Sequence, residues 1–442
     1  MLLVILLVAI AFIVIAISKY KIHAFLALLL SAFLVGFAAG MNPVDVATNV
    51  AKGFGGTVEK IGIVIIAGTI IGVMLERSGA ALTMADTVLK IVGRERPALA
   101  MTVIGYITSI PVFCDSGFVI LSALNKSLAR RAGMSMTVLA VALATGLYST
   151  HTLVPPTPGP IAAANNLHAD LGMVIGMGLI VAIPCALAGY IWATWYSRRF
   201  YIEPEGGVSF EELLAQYKTL PGPLASFAPL IVPIVLIALK SVANFPGALF
   251  GKGMLKLTLD FVGEPMISLL IGVGLCLFLV PKLNEEVLSG WVGQGLRDSA
   301  AIIMITAAGG SLGALIAATK IGNYLGTSLA QFNLGIFLPF IIAAAIKTAQ
   351  GSSTVSLITT STIVYPLLAS LGMASPLGAV LVTMAIGCGS MVVSHANDSY
   401  FWVVSQFSNI PVDIAYKTQT AATLVQGVTG MVTVWILSLI LV

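Results

Sequence analysis

Ser149-Thr150-His151-Thr152-Leu153-Val154-Pro155-Pro156-Thr157-Pro158-Gly159-Pro160 interrupts a run that is otherwise apolar enough to lie at membrane depth. Each proline lacks the amide hydrogen a helix needs and pushes the residue before it toward extended backbone, so no continuous helix passes through this stretch. A break at that depth is tolerated only where protein or a water-filled cavity satisfies the freed carbonyls and amides. His151, with Ser149, Thr150 and Thr152 around it, is suited to holding a polar solute, and the stretch reads as half of a transport site.

The composition agrees. Of 442 residues 58% are hydrophobic and 9% charged, against roughly 25% charged in an ordinary soluble domain. The chain is an integral membrane protein, with charges mostly between apolar runs of about 20 residues. No polar stretch is long enough for a separate soluble domain. The chain begins apolar without a cationic leader, which predicts an uncleaved first span. Cys114, Cys185, Cys276 and Cys388 stand far apart in apolar surroundings, which indicates neither a disulfide framework nor a metal site. No cofactor is called for, and a net charge of +4 spread over loops argues against nucleic acid.

Working outward, spans are expected at 2–17 and 23–40, then a polar connection with Asp45, Lys52, Glu59 and Lys60, then a span from Ile61 to Leu75 carrying Gly68 and Gly72. Arg77, Lys90, Arg94 and Arg96 mark a cytoplasmic loop. The apolar segment 98–125 is interrupted at Pro111 and Asp115-Ser116-Gly117, and its first arm of about a dozen residues, ~18 Å, is too short for a ~30 Å core. With basic flanks on both sides, it predicts a re-entrant hairpin whose ends, Arg94 and Lys126, share the cytoplasmic side. A broken helix over 136–164 and a return span over 173–196 complete the first half.

A connector over 201–223, read as cytoplasmic, precedes spans at 224–243, 264–281 and 299–316, a second hairpin over 335–370 and a second broken helix over 377–405. A last span covers 420–441. Five crossings plus a hairpin in each half make two inverted repeats, 1–200 and 224–442. The predicted fold class is therefore an all-α polytopic membrane protein, with two inverted-topology repeats that each hold a re-entrant hairpin and a broken helix.

The breaks open helices whose free amides favour an anion. Candidate substrate contacts are Ser116, Gly117, Thr150, His151, Thr152, Lys347, Gly351, Ser352, Ser353, Thr354, His395 and Asn397. Lys347 favours a carboxylate, and Asp115 and Asp398 are acids costly enough at that depth to carry a proton. Plainer readings remain open: the small residues serve helix packing, and either aspartate caps a helix. An intramembrane hydrolase using Ser352 or Ser394 with His395 lacks a Gly-x-Ser-x-Gly elbow. A channel is disfavoured by the repeated hairpins.

Phe113-Cys114-Asp115-Ser116-Gly117-Phe118, Thr150-His151 with Pro155-Pro156-Thr157-Pro158-Gly159-Pro160, Gly351-Ser352-Ser353-Thr354-Val355, and Ser394-His395-Ala396-Asn397-Asp398 before Phe401-Trp402 resemble the gluconate permease family, gluconate:proton symporters of bacterial inner membranes within the ion transporter superfamily. The resemblance covers nearly the whole chain. It implies gluconate or another sugar acid or hydroxy monocarboxylate as substrate, D-serine for some members, a scaffold with a moving transport domain, elevator-like motion and a homodimer. Where gluconate transporters look to carry Tyr-Glu-Val, this chain has Cys114-Asp115-Ser116, a shorter acid without the ring. A shorter or differently shaped sugar acid is equally open.

Overall fold

Two capped starts set the first helices. The His23 ring accepts the Phe25 amide at 3.3 Å to begin α1 (Ala24–Ala38), and the Asn42 side chain accepts the Val44 amide at 2.9 Å to begin α2 (Pro43–Arg77). Proline at the first position costs nothing, because its missing N–H would have no partner there. The structure, a computed structural model, describes all residues except 1–4, 6–7, 10, 14, 17–18, 21, 94, 205–218, 245–252, 281, 320–333 and 396–397. No strand occurs among the described residues.

Helix α2 corrects the sequence reading. The polar connection expected before Ile61 is helical, and α2 runs unbroken for 35 residues, about 52 Å. Asp45, Lys52, Glu59 and Lys60 lie on its exposed side while Val46, Val50, Thr57 and Ile61 are buried. The charges mark a helix face, not a loop. The expected loop after Arg77 is likewise mostly helix: in α3 (Ala80–Val92) Leu82, Ala85, Val88 and Leu89 are buried, and Asp86 pairs with Lys90 at 2.6 Å. Arg94 lies outside the described residues.

Helix α4 (Pro97–Thr108) stops after 12 residues, a turn follows, and α5 (Cys114–Ala132) leads away to Gly133, whose φ of 61° ends the helix. Helix α6 (Met136–His151) stops at the proline-rich stretch, α7 (Pro158–Asn166) resumes, and α8 (Leu171–Trp195) returns. Arg130 donates to the Pro204 carbonyl at 3.1 Å and the Met136 amide to that of Ile202 at 2.8 Å, so Arg130, Arg198 and Arg199 gather at one end of the molecule.

The second part holds α9 (Pro223–Ala243), α10 (Met254–Val262), α11 (Pro265–Cys276), α12 (Val292–Ala318), α13 (Phe337–Gln350), α14 (Ser353–Val364), α15 (Pro376–Met391), α16 (Ser399–Phe407) and α17 (Ala421–Leu441). The span expected over 264–281 is shorter: α11 carries only a further 3₁₀ turn to Leu279, and it meets α10 at 68°. Gly263, Glu264 and Pro265 cause the bend, since proline disfavours helical backbone in the residue before it. Most of the 201–223 connector lies outside the described residues. Among the described residues five helices are long and apolar enough to cross a bilayer, and shorter apolar helices such as α6 and α15 accompany them.

Helices α2 and α12 run antiparallel at backbone contact, because a Cβ on Gly53 would sit 2.5 Å from the Gly310 carbonyl oxygen. The Ser311 hydroxyl crosses to the Val50 carbonyl at 2.9 Å. Against this pair rest the proline turns: a Cβ on Gly72 would lie 2.8 Å from the Pro111 carbonyl oxygen, and one on Gly68 3.0 Å from that of Pro156.

Candidate functional site

The freed backbone at Thr152–Thr157 is satisfied from within. The Thr157 hydroxyl donates to the carbonyls of His151 (3.0 Å) and Val154 (2.7 Å), closing groups that an ended helix leaves open. Helices α8 and α15 approach through Gly178 and Gly387, where a Cβ would meet the Leu153 and Thr152 carbonyl oxygens at 2.3 and 2.7 Å. His151 is thereby held at 6% exposure between Phe113 (ring centroids 6.0 Å apart) and a nearly parallel Tyr148 ring (6.4 Å), and its Nδ1 has no hydrogen-bond partner.

The break between α15 and α16 is built around Asp398. One carboxylate oxygen caps α16 by accepting the Tyr400 amide at 3.1 Å; the other accepts from Ser394 Oγ at 2.5 Å and from Lys347 Nζ at 2.6 Å. Lys347 is fully buried, also donates to the Gly351 carbonyl, and lies 5.8 Å from the Tyr148 ring centroid. Gly351, with φ of 95°, makes the turn between α13 and α14 that brings that carbonyl back to the ammonium. Ser352 Oγ caps α14 on the Val355 amide at 3.3 Å, and His395 Nε2 lies 2.9 Å from the Thr348 carbonyl oxygen.

The turn between α4 and α5 meets this arrangement through Ser399, whose hydroxyl donates to Asp115 at 3.4 Å. Phe113, not Asp115, occupies the N-cap position of α5, and no side-chain cap is made there. Asp115 has no cation in salt-bridge contact among the described residues. Ser116 lies beside the Glu76 carboxylate at the end of α2.

Among the residues singled out in the sequence, Asp115, His151, Lys347, Gly351 and Asp398 therefore surround one region. Thr150 and Thr152 are buried, and their hydroxyls bond the Tyr106 (2.9 Å) and Tyr148 (3.3 Å) carbonyls. Gly117 packs on Leu147, Ser353 is buried, and Thr354 backs onto Gly159. Asn397 lies outside the described residues. Tyr148, Ser399 and Tyr400 were missed as site residues. Tyr148 is one helical turn before His151 and was legible by that spacing; Tyr400, whose hydroxyl bonds the Ala144 carbonyl at 2.9 Å, gave no signal.

A sequence model described as GntP family permease matches residues 1–440. The chain belongs to the GntP permease family. A gluconate permease of Pseudomonas aeruginosa is 33% identical over 98% of this chain and 97% of its own length. The D-serine transporter DsdX of Escherichia coli K12 is 31% identical over 99% and 98%. Two solved structures share the fold at low identity: the YdaH transporter of Alcanivorax borkumensis (TM-score 0.69, 13% identical, covering 95% of this chain and 98% of the other) and MtrF of Neisseria gonorrhoeae (0.66, 16%, 96% and 96%). This GntP family permease is a multi-pass protein of the bacterial inner membrane.

Proposed function

We propose that this permease is a secondary active symporter that takes up gluconate or a related small hydroxy monocarboxylate with a proton. The convergence of Asp115, His151, Lys347 and Asp398 from four helix breaks carries the reading. Leaving a buried polar atom unpaired costs about 1–3 kcal/mol, and the unpartnered Nδ1 of His151 gives a substrate hydroxyl a reason to bind there. Ser116, Gly117, Thr150, Thr152, Gly351, Ser352, Ser353, Thr354 and His395 shape the surrounding tips. The relatives named for gluconate and D-serine support a small carboxylate.

Lys347 is already neutralised by Asp398. A substrate carboxylate must therefore share or displace that partner, and a proton arriving on Asp398 or on the neighbouring Asp115 makes room for the incoming anion. Asp115 is the better proton carrier, because among the described residues no cation is in salt-bridge contact with it. Binding of substrate and proton then favour each other, which is the coupling. In this proposal 1–200 and 224–442 are inverted repeats with re-entrant hairpins, 201–223 is a cytoplasmic connector, and the transport parts of a homodimer move as an elevator.

Proteoliposomes tested with a panel of C3 to C6 hydroxy acids and D-serine assign the substrate. Asp115→Asn, which imitates the protonated acid, is expected to keep substrate counterflow and lose accumulation driven by a pH gradient. Accumulation at the wild-type level would remove Asp115 from the proton path. Loss of counterflow as well would make it a structural or direct-contact residue.

A further inference from the structure

Away from the helix breaks lies a polar cleft of about 270 Å³ between α2, α12 and the α7 and α14 ends. Lys52, Gly56 and Lys60 line one wall from a single face of α2, with Asn165, His168 and Tyr365 opposite. Among the described residues no acidic side chain lines the cleft and neither lysine forms an ion pair. Burial and then the Lys60 ammonium hold His168 below the ordinary histidine range. The His168 and Tyr365 rings meet edge to face, 4.9 Å between centroids, fixing that wall. A Cβ on Gly56 would enter open space.

The cleft is separate from the site above. Lys60 stands about 18 Å along α2 from Gly72, the glycine under Pro111, and Lys52 about 37 Å from Arg77. In the topology proposed above this is the non-cytoplasmic side, where lysine is the less favoured residue. Two lysines lining a cleft with no acidic residue in its described lining favour an anion there, and hydroxyl and amide groups beside them suit one that bears hydroxyls.

We infer that the Lys52–Lys60 cleft is an antechamber that binds the carboxylate of the incoming substrate before it reaches the helix breaks. This rests on the proposed transport of a hydroxy monocarboxylate. The test uses Gly56→Cys in the full chain, in nanodiscs of zwitterionic phosphatidylcholine; Cys114, Cys185, Cys276 and Cys388 are all buried. An anionic sulfonate methanethiosulfonate is expected to modify Cys at 56 about tenfold faster than a cationic trimethylammonium one. Lys52→Gln with Lys60→Gln should abolish that preference, and millimolar gluconate should slow the anionic reagent. In proteoliposomes Gly56→Leu, which fills the cleft with both lysines present, should raise KM for gluconate severalfold and leave the rate at saturation unchanged.

Equal reaction with the two reagents overturns the inference. So does protection by added phosphatidylglycerol but not by gluconate, which would assign the cleft to a lipid phosphate. Gluconate transport without gluconate protection sinks the antechamber alone. Protection in a protein that does not transport gluconate sinks the transport reading and keeps the anion site, and absence of both sinks both.

Discussion

A lysine and an aspartate with side-chain exposures of 0% and 7% face each other at 2.6 Å. Such a pair is weak evidence for stability but expensive to break, since removing one member strands the other's charge at about 3–5 kcal/mol. Lys347→Met is therefore expected to lower the melting temperature of the detergent-solubilised protein sharply, and Lys347→Met with Asp398→Asn to recover most of the loss. Equal melting of the single and double variants would show that the two charges do not depend on each other. Per folded molecule, Lys347→Met should also weaken gluconate binding more than it lowers protein abundance; unchanged affinity would leave the anion to backbone amides alone.

The helices carry a different dependence, on glycines that seat the proline turns. Gly178 lies under the Leu153 carbonyl, with a Cβ there only 2.3 Å from the oxygen, and Gly56 faces open space. Gly178→Ala must push backbone against backbone and should cost about 1–3 kcal/mol. Gly56→Ala should be neutral or slightly stabilising, because alanine favours helix; thermal unfolding of both variants measures the contrast, and similar melting would refute the close approach. The helix ends at His151, Thr108 and Met391 were legible because prolines or polar clusters stop an apolar run there. The length of α2 was not, since Asp45, Lys52, Glu59 and Lys60 lower hydropathy without breaking a helix, although Asn42-Pro43 announced its start. The Lys347–Asp398 pair joins residues 51 apart in sequence, a meeting of two breaks that no local pattern encodes. The site's acids and histidines were visible one by one; their partners were set by packing.

For the molecule as a whole, the proposed hairpin places positions 94 and 126 on one side of the membrane. Single cysteines there should show the same accessibility to an impermeant thiol reagent in right-side-out vesicles, and opposite accessibility would remove the inverted-repeat arrangement. The pairing of Lys347 with Asp398 bears on the work done by the membrane potential. A unit charge moved through 100 mV gains or loses about 2.3 kcal/mol, whereas this pair carries no net charge across the field. A monocarboxylate arriving with one proton adds none, so the loaded and empty carriers experience the same electrical force. The accumulation reached under a fixed pH gradient should therefore be the same whether potassium and valinomycin clamp the potential at zero or at −100 mV. A steep dependence on the clamp would mean that more than one proton accompanies each anion.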